Sequence, residues 1–319
     1  MKIMVFDVGG TEIKYSVMDE QMHRTNSGAV PTPQDTQAQF LDAVYRLYAP
    51  HKDEVSGIAM ALPGFVDNRT GYVSNGGALL YNTATPVGQL LAEKCGCPVI
   101  LELSAMLDGI PVRSGNDANV AALGEMWRGG GMGFTDIVMV TLGTGVGGGI
   151  IANGQLVRGV HFTAGEYSFV NTNAEAWDAP DQNMACQCST SNLLKWYRAR
   201  KALPEDAPLD GRSFFAAANA GEPEALEVLR RFCHAVAVQI YNLTVLLDVE
   251  KVAIGGGISK QPLLLESLRS AYDGLYASRA GQAYMEGLPR CQIVPCAFSS
   301  EANQVGVAAA YFEAMQKKC

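Results

Sequence analysis

Several common functional signatures are missing from this sequence. No glycine precedes a Lys-Ser or Lys-Thr pair, which excludes the P-loop. No apolar run approaches the roughly 20 residues of a membrane-spanning helix, and the stretch Met1–Phe6 is too short for a signal peptide's apolar core. These absences predict a cytoplasmic protein with no membrane partner. The formal net charge of -8 is opposite in sign to the basic footprint of a nucleic-acid binder. The four histidines, His23, His51, His161 and His234, form no metal-ligating pattern, and there is no internal sequence repeat or low-complexity tract. Eight cysteines include two close pairs, Cys95/Cys97 and Cys186/Cys188. Without an export signal these predict free thiols or metal ligands in preference to disulfides.

What is present describes a globular α/β protein. Hydrophobic residues make up 48% of the chain, and 319 residues exceed one ordinary core, so two domains are expected. The boundaries are placed at 1–117 and 118–300, with a C-terminal helix at about 301–319 packing back on the first. Strand patterns run over 2–8 and 12–18, joined through Gly9-Gly10 as a hairpin. Further strands are expected at Val55–Leu62, Pro98–Leu101, Ile137–Leu142 and Lys251–Ile254. Helical spacing marks 36–48, and further helices are expected at 86–95, at 118–127, ended by Gly129-Gly130-Gly131, and at 301–317. A long helix over 222–247 places Leu226, Leu229, Cys233, Val236, Ile240, Leu243 and Leu247 on one face. Strands alternating with helices favour an α/β architecture.

Three glycine clusters each follow a strand: Gly9-Gly10, Gly143 to Gly149, and Gly255 to Gly257. Glycine lets backbone amides approach a phosphate, and clustered amides form an anion-binding concavity. Thr11 and Thr144 add hydroxyl donors, and Asp7 stands just before the first loop. Gly143-Thr-Gly-Val-Gly-Gly148 formally satisfies the dinucleotide fingerprint, but that fingerprint needs a helix to start in the loop. Here the chain runs on as Gly149-Ile150-Ile151-Ala152-Asn153-Gly154, a strand and a turn.

Six stretches, Asp7-Val-Gly-Gly-Thr11, Ala61-Leu-Pro-Gly64, Asn116-Asp-Ala-Asn119, Leu142-Gly-Thr-Gly-Val-Gly-Gly-Gly149, Ala164-Gly-Glu166 and Ile254-Gly-Gly-Gly-Ile-Ser259, resemble in order and spacing the ROK family (repressor, open reading frame, kinase). Within it the chain looks most like the zinc-less bacterial branch that includes β-glucoside kinases. The resemblance implies an actin-like ATPase (ribonuclease H-like) fold, with two domains around an ATP and sugar cleft. It implies an ATP-dependent sugar kinase acting on a hexose or β-glucoside, at the 6-hydroxyl. ATP phosphates would meet Asp7, Gly9, Gly10 and Thr11 on one side and Gly143, Thr144, Gly145, Gly256 and Gly257 on the other. Asp7 would orient hydrated Mg2+, Asp117 would be the general base, and Gly64, Asn116, Asp117 and Glu166 would hold the sugar. A carboxylate base and charge neutralisation are what phosphoryl transfer to a hydroxyl requires. The resemblance also implies a homodimer. A sugar-sensing regulator and an inactive sugar-binding protein are the alternatives. Only six residues precede Asp7, which argues against a DNA-binding domain ahead of it.

The family pattern breaks at its structural zinc. Its histidine position is Phe169, and Leu193 and Lys195 replace a cysteine and a glutamate, leaving Cys186 and Cys188. Two thiolates do not complete a four-ligand site, so no zinc is expected. In zinc-bearing relatives the histidine and glutamate face the sugar's anomeric end, so their replacement implies a substrate substituted there. A second departure is about a dozen extra residues around 103–115, beginning at Leu103, which leaves the strand assignment there open between Pro98–Glu102 and Ile110–Gly115. His161 either contacts substrate or sits in a turn. Trp177, in the irregular segment 171–183, belongs either to a lid or to the packing.

Overall fold

Side-chain alternation along one strand organises the first part of the molecule. The computed structural model describes residues 1–67, 70–104, 121–126, 129–160, 163–279, 282, 287–298 and 302–316. In it, Met4, Phe6 and Val8 of β1 (Lys2–Val8) join an apolar cluster with Phe40, Val44 and Tyr48 of α1 (Gln37–Tyr48) and Val87 and Leu91 of α2 (Val87–Cys95). Ile3, Val5 and Asp7 face the other way. There α9 (Ala302–Gln316) packs on β1, β4 (Ile58–Pro63) and β7 (Val99–Ser104).

Contacts divide the chain into two compact units, Met1–Arg128 with Ser300–Cys319, and Gly129–Ser299. The first holds a five-stranded sheet ordered β3-β2-β1-β4-β7, where β2 is Glu12–Asp19 and β3 is Arg24–Pro31. The β1–β2 and β2–β3 pairs are antiparallel, and the β1–β4 and β4–β7 pairs are parallel. A short antiparallel pair, β5 (Phe65–Asp67) with β6 (Tyr72–Asn75), follows β4. Residues 121–126 form the described part of α3.

The second unit repeats this plan without repeating its sequence. Its sheet is ordered β10-β9-β8-β11-β12, from β8 (Ile137–Leu142), β9 (Val146–Ala152), β10 (Gln155–Leu156), β11 (Lys251–Gly255) and β12 (Gln292–Pro295). Again two antiparallel pairs precede two parallel ones. Val138, Val140 and Leu142 on one face of β8 are buried with residues of α4 (Met184–Cys188), α5 (Thr190–Arg200), α6 (Gly211–Asn219), α7 (Pro223–Leu247) and α8 (Pro262–Ala277). Asp210 caps α6 through a reciprocal capping box with Ser213.

The structure corrects several sequence expectations. The strand expected from Val55 begins only at Ile58, because the Val55 amide donates back to the His51 carbonyl (3.1 Å) in the turn that follows α1. Gly147, Gly148 and Gly149 belong to β9 and not to a loop, and the Tyr167 ring packs on Gly148. Of the face expected on α7, Leu229, Cys233, Val236 and Ile240 are buried and Leu243 packs half-buried on the same core, while Leu226 and Leu247 at its ends are exposed. Ala225, Val228, Phe232, Ala237 and Thr244 complete the buried stripe. Leu103 and Ser104 pair with Leu62 and Pro63, so the native strand is the 99–104 copy. The expected extra segment beyond 104 lies outside the described residues.

Candidate active site

In the first unit Asp7, Gly9, Gly10, Thr11 and Gly64 lie at the C-terminal ends of the parallel strands β1 and β4. Asp7 lies between Lys14 on β2 and Ala61 on β4. Burial pushes its carboxyl above the ordinary range, opposed by an amide hydrogen bond from Asn303 of α9 (3.4 Å) and by the Lys14 charge. Lys14 itself pairs with Glu12 at 3.3 Å. The turn Gly9–Thr11 is closed by the Gly9 amide donating to the Glu12 carbonyl (2.9 Å). The Gly10 and Thr11 amides find no acceptor among the described residues. A Cβ on Gly10 would lie 3.0 Å from that of Ala78, so the turn rests against the segment after β6. Residues 75–77 of that segment also wrap Gly64, whose φ of +100° and contact with the Asn75 carbonyl leave no room for a side chain.

The second unit builds a glycine turn at the equivalent place, the C-terminal end of β8, shorter by one residue than the first. Gly143 donates to the Gly145 carbonyl (3.0 Å), and the Thr144 and Gly145 amides find no acceptor among the described residues. The third glycine cluster follows the adjacent parallel strand β11, and Gly256 (φ +94°) presses on the Leu142 backbone. Glu166 precedes a 3-10 turn over Tyr167–Phe169. The Ser168 hydroxyl clasps the Val146 backbone, at 3.0 Å to both amide and carbonyl, directly after the glycine turn. This brings the Glu166 segment beside Gly143–Gly145. Burial pushes the Glu166 carboxyl upward. Phe169 is 60% exposed and Trp177 73% exposed, so Trp177 contributes little to packing.

Asn116, Asp117 and His161 lie outside the described residues. Their placement therefore contributes nothing to this geometry.

Four positioning side chains escaped the sequence reading. Thr32 donates its hydroxyl to the Gly9 carbonyl (2.8 Å) and Gln34 its amide to that of Gly10 (2.7 Å). Thr190 donates its backbone amide to Gly143 (2.8 Å) and its hydroxyl to Leu142 (2.9 Å). Asn303 reaches Asp7 across 296 positions of chain. Each is a single polar residue outside any glycine pattern, so no local signal identifies it.

No group of three or more His, Cys, Asp or Glu side chains converges among the described residues, where Asp7 is the carboxylate expected to meet a cation. A half-buried carboxylate whose neighbouring lysine is paired elsewhere suits hydrated Mg2+, which keeps most of its waters. The zinc positions fit poorly. Cys188 and Leu193 are fully buried in the unit's core, and burial pushes the Cys188 thiol up to about 12. Cys186 points its thiol at the Pro180 carbonyl. Such a donor set lacks the four ligands of a structural site.

A β-glucoside kinase of Listeria innocua is 31% identical over 271 residues, covering 84% of this chain and 87% of that protein. A ROK family protein of Streptococcus pneumoniae, solved in complex with sucrose, superposes with a TM-score of 0.83 at 26% identity, over 99% of this chain and all of that one. A ROK family glucokinase of Streptomyces griseus, solved with glucose and AMPPNP, gives a TM-score of 0.70 at 26% identity, over 97% and 99% of the two chains. The fold is the actin-like ATPase fold. Residues 3–314 match the ROK family, and the chain belongs to it.

Proposed function

We propose that this protein is an ATP-dependent carbohydrate kinase that transfers the γ-phosphoryl group to the 6-hydroxyl of a hexose or β-glucoside. The observation that carries the reading is a glycine turn at the same topological position in both sheets, each with two amides that have no acceptor among the described residues. Such turns suit a polyphosphate, whose charge an acidic protein must otherwise repel. The turns at Gly9–Thr11 and Gly143–Gly145, with Gly256 and Gly257, hold ATP. Asp7 orients the hydrated Mg2+, which when bound neutralises charge on the phosphates.

Asp117 accepts the proton of the attacking hydroxyl, and Asn116, Glu166 and the Gly64 backbone bind the sugar. Phe169, exposed beside the Glu166 turn, favours an acceptor with an apolar substituent at its anomeric carbon. A homodimer and a cytoplasmic location belong to the same proposal.

ADP release measured against hexoses, amino sugars and β-glucosides tests it. Turnover is expected with a hexose or β-glucoside, and Asp117→Ala should abolish it while leaving the circular dichroism spectrum unchanged. Full activity in that variant removes the base assignment. A strong preference for free glucose removes the substituted acceptor.

A further inference from the structure

A turn binds an anion only if its carbonyl oxygens point elsewhere. Amide and carbonyl alternate along the backbone, so a tight glycine turn carries as many acceptors as donors. A carbonyl free to swing toward a phosphate repels it and competes for the same space. In the first unit those acceptors are all engaged, and in the second all but the Thr144 carbonyl are. The carbonyls of Gly9, Gly10 and Thr11 accept from the Thr32 hydroxyl, the Gln34 side-chain amide and the Thr32 backbone amide. The carbonyls of Leu142 and Gly143 accept from the hydroxyl and amide of Thr190. The Glu12 and Gly145 carbonyls are used to close the turns themselves.

What remains without a partner among the described residues is mostly a donor set: the amides of Gly10 and Thr11 in one turn, and in the other the amides of Thr144 and Gly145 beside the single Thr144 carbonyl. The two units reach this state by unrelated means. The first draws its donors from the segment just after β3, and the second from the first turn of α5. That the same outcome is built twice, from different elements, argues for selection on the turn's polarity and not on a shared packing motif.

We propose that Thr190 in the second unit, and Thr32 with Gln34 in the first, are positioning residues that tie back carbonyls in and beside the glycine turns, so that each turn presents its unpartnered amides to the phosphates of ATP. The proposal rests on the kinase reading above. None of the three side chains is required to touch ATP. They act through the backbone, which is why their effect should fall on nucleotide affinity.

Gln34 is exposed and Thr190 only partly buried, so Gln34→Leu and Thr190→Val are expected to fold. Losing one such bond should raise KM for ATP, and Kd for AMPPNP by calorimetry, about three- to tenfold. KM for the sugar should stay unchanged and kcat nearly so. Thr190→Ser keeps the donor and should restore wild-type affinity. A merely structural role would lower Tm in Gln34→Leu and Thr190→Val without moving the AMPPNP affinity, and that result overturns the proposal.

The outcomes separate the two readings. If the wild type binds AMPPNP but phosphorylates no sugar, the kinase reading falls and the carbonyl ties are still judged by analogue binding. If the wild type phosphorylates a sugar and both variants bind AMPPNP as tightly as it does, the ties fall and the kinase stands.

Discussion

The side-chain amide of Asn303 lies 3.4 Å from Oδ1 of Asp7, fastening the first turn of the last helix to the end of the first strand. The neighbouring Gln304 does the same for β2, accepting from the Ser16 hydroxyl at 3.3 Å. Asn303 therefore sets the rotamer of a carboxylate that burial already disfavours as an anion. Asn303→Ala should raise the Mg2+ concentration for half-maximal rate about three- to tenfold, the worth of one ordinary hydrogen bond, since 3.4 Å is long for a charge-assisted one. Sugar KM should not change. Rates measured against Mg2+ at fixed ATP check this, and an unaltered Mg2+ dependence removes Asn303 from the site.

Asp7 also predicts a trade of stability against activity. Its folded carboxyl titrates above its unfolded value of about 3.9, because desolvation outweighs Asn303 and Lys14. The folded state then binds more protons than the unfolded one, so this group's contribution to stability falls as pH rises through that interval. Asp7→Asn removes the cost. Its Tm should exceed that of the wild type at pH 7, and the gap should close as the pH falls below about 4. Phosphoryl transfer should drop about a hundredfold or more. A Tm below wild type at pH 7 would contradict the burial argument.

Two neighbouring glycines should respond differently to the same methyl group. Gly256 has φ +94° and no room beside the Leu142 backbone, whereas a Cβ on Gly257 meets nothing within 4 Å. Gly256→Ala should cost about 1–3 kcal/mol and, by displacing Leu142, raise KM for ATP. Gly257→Ala should unfold at close to the wild-type temperature. Thermal unfolding of both proteins decides the matter, and equal losses would refute the structural distinction.

The parts that could be read in the sequence are those in which local pattern and tertiary role agree. The β1 turn, β8 and the span of α7 carry strand or helix periodicity bounded by glycine or a charged cap. The antiparallel strand Arg24–Pro31 does not, since most of its side chains are exposed or half-exposed and only its backbone pairing makes it a strand. In α9 burial runs almost without a break from Val305 to Phe312, which erases the amphipathic stripe. The duplicated sheet order resides in pairing and not in residues, so the two glycine turns look like independent motifs until the strands are assembled. Asn303, Thr32 and Thr190 were invisible for a related reason: each matters only for the carbonyl or carboxylate that a distant segment brings to it.

Glu166 gives a test of acceptor binding that leaves the nucleotide side intact. Its carboxyl is raised by burial, and it sits on a turn fixed to β9 by Ser168. An ionised carboxylate accepts from sugar hydroxyls, so binding should weaken as pH falls through a value above the usual carboxylate range. The acid limb of kcat/KM for the sugar should therefore lie higher than an ordinary glutamate would place it. Glu166→Gln keeps the shape and loses the charge. It should raise sugar KM about ten- to a hundredfold, as expected for charged hydrogen bonds, with KM for ATP unchanged. If that acid limb belongs to Glu166, it should flatten in the variant. An identical pH profile in both proteins would assign it to another group and take Glu166 out of the sugar site.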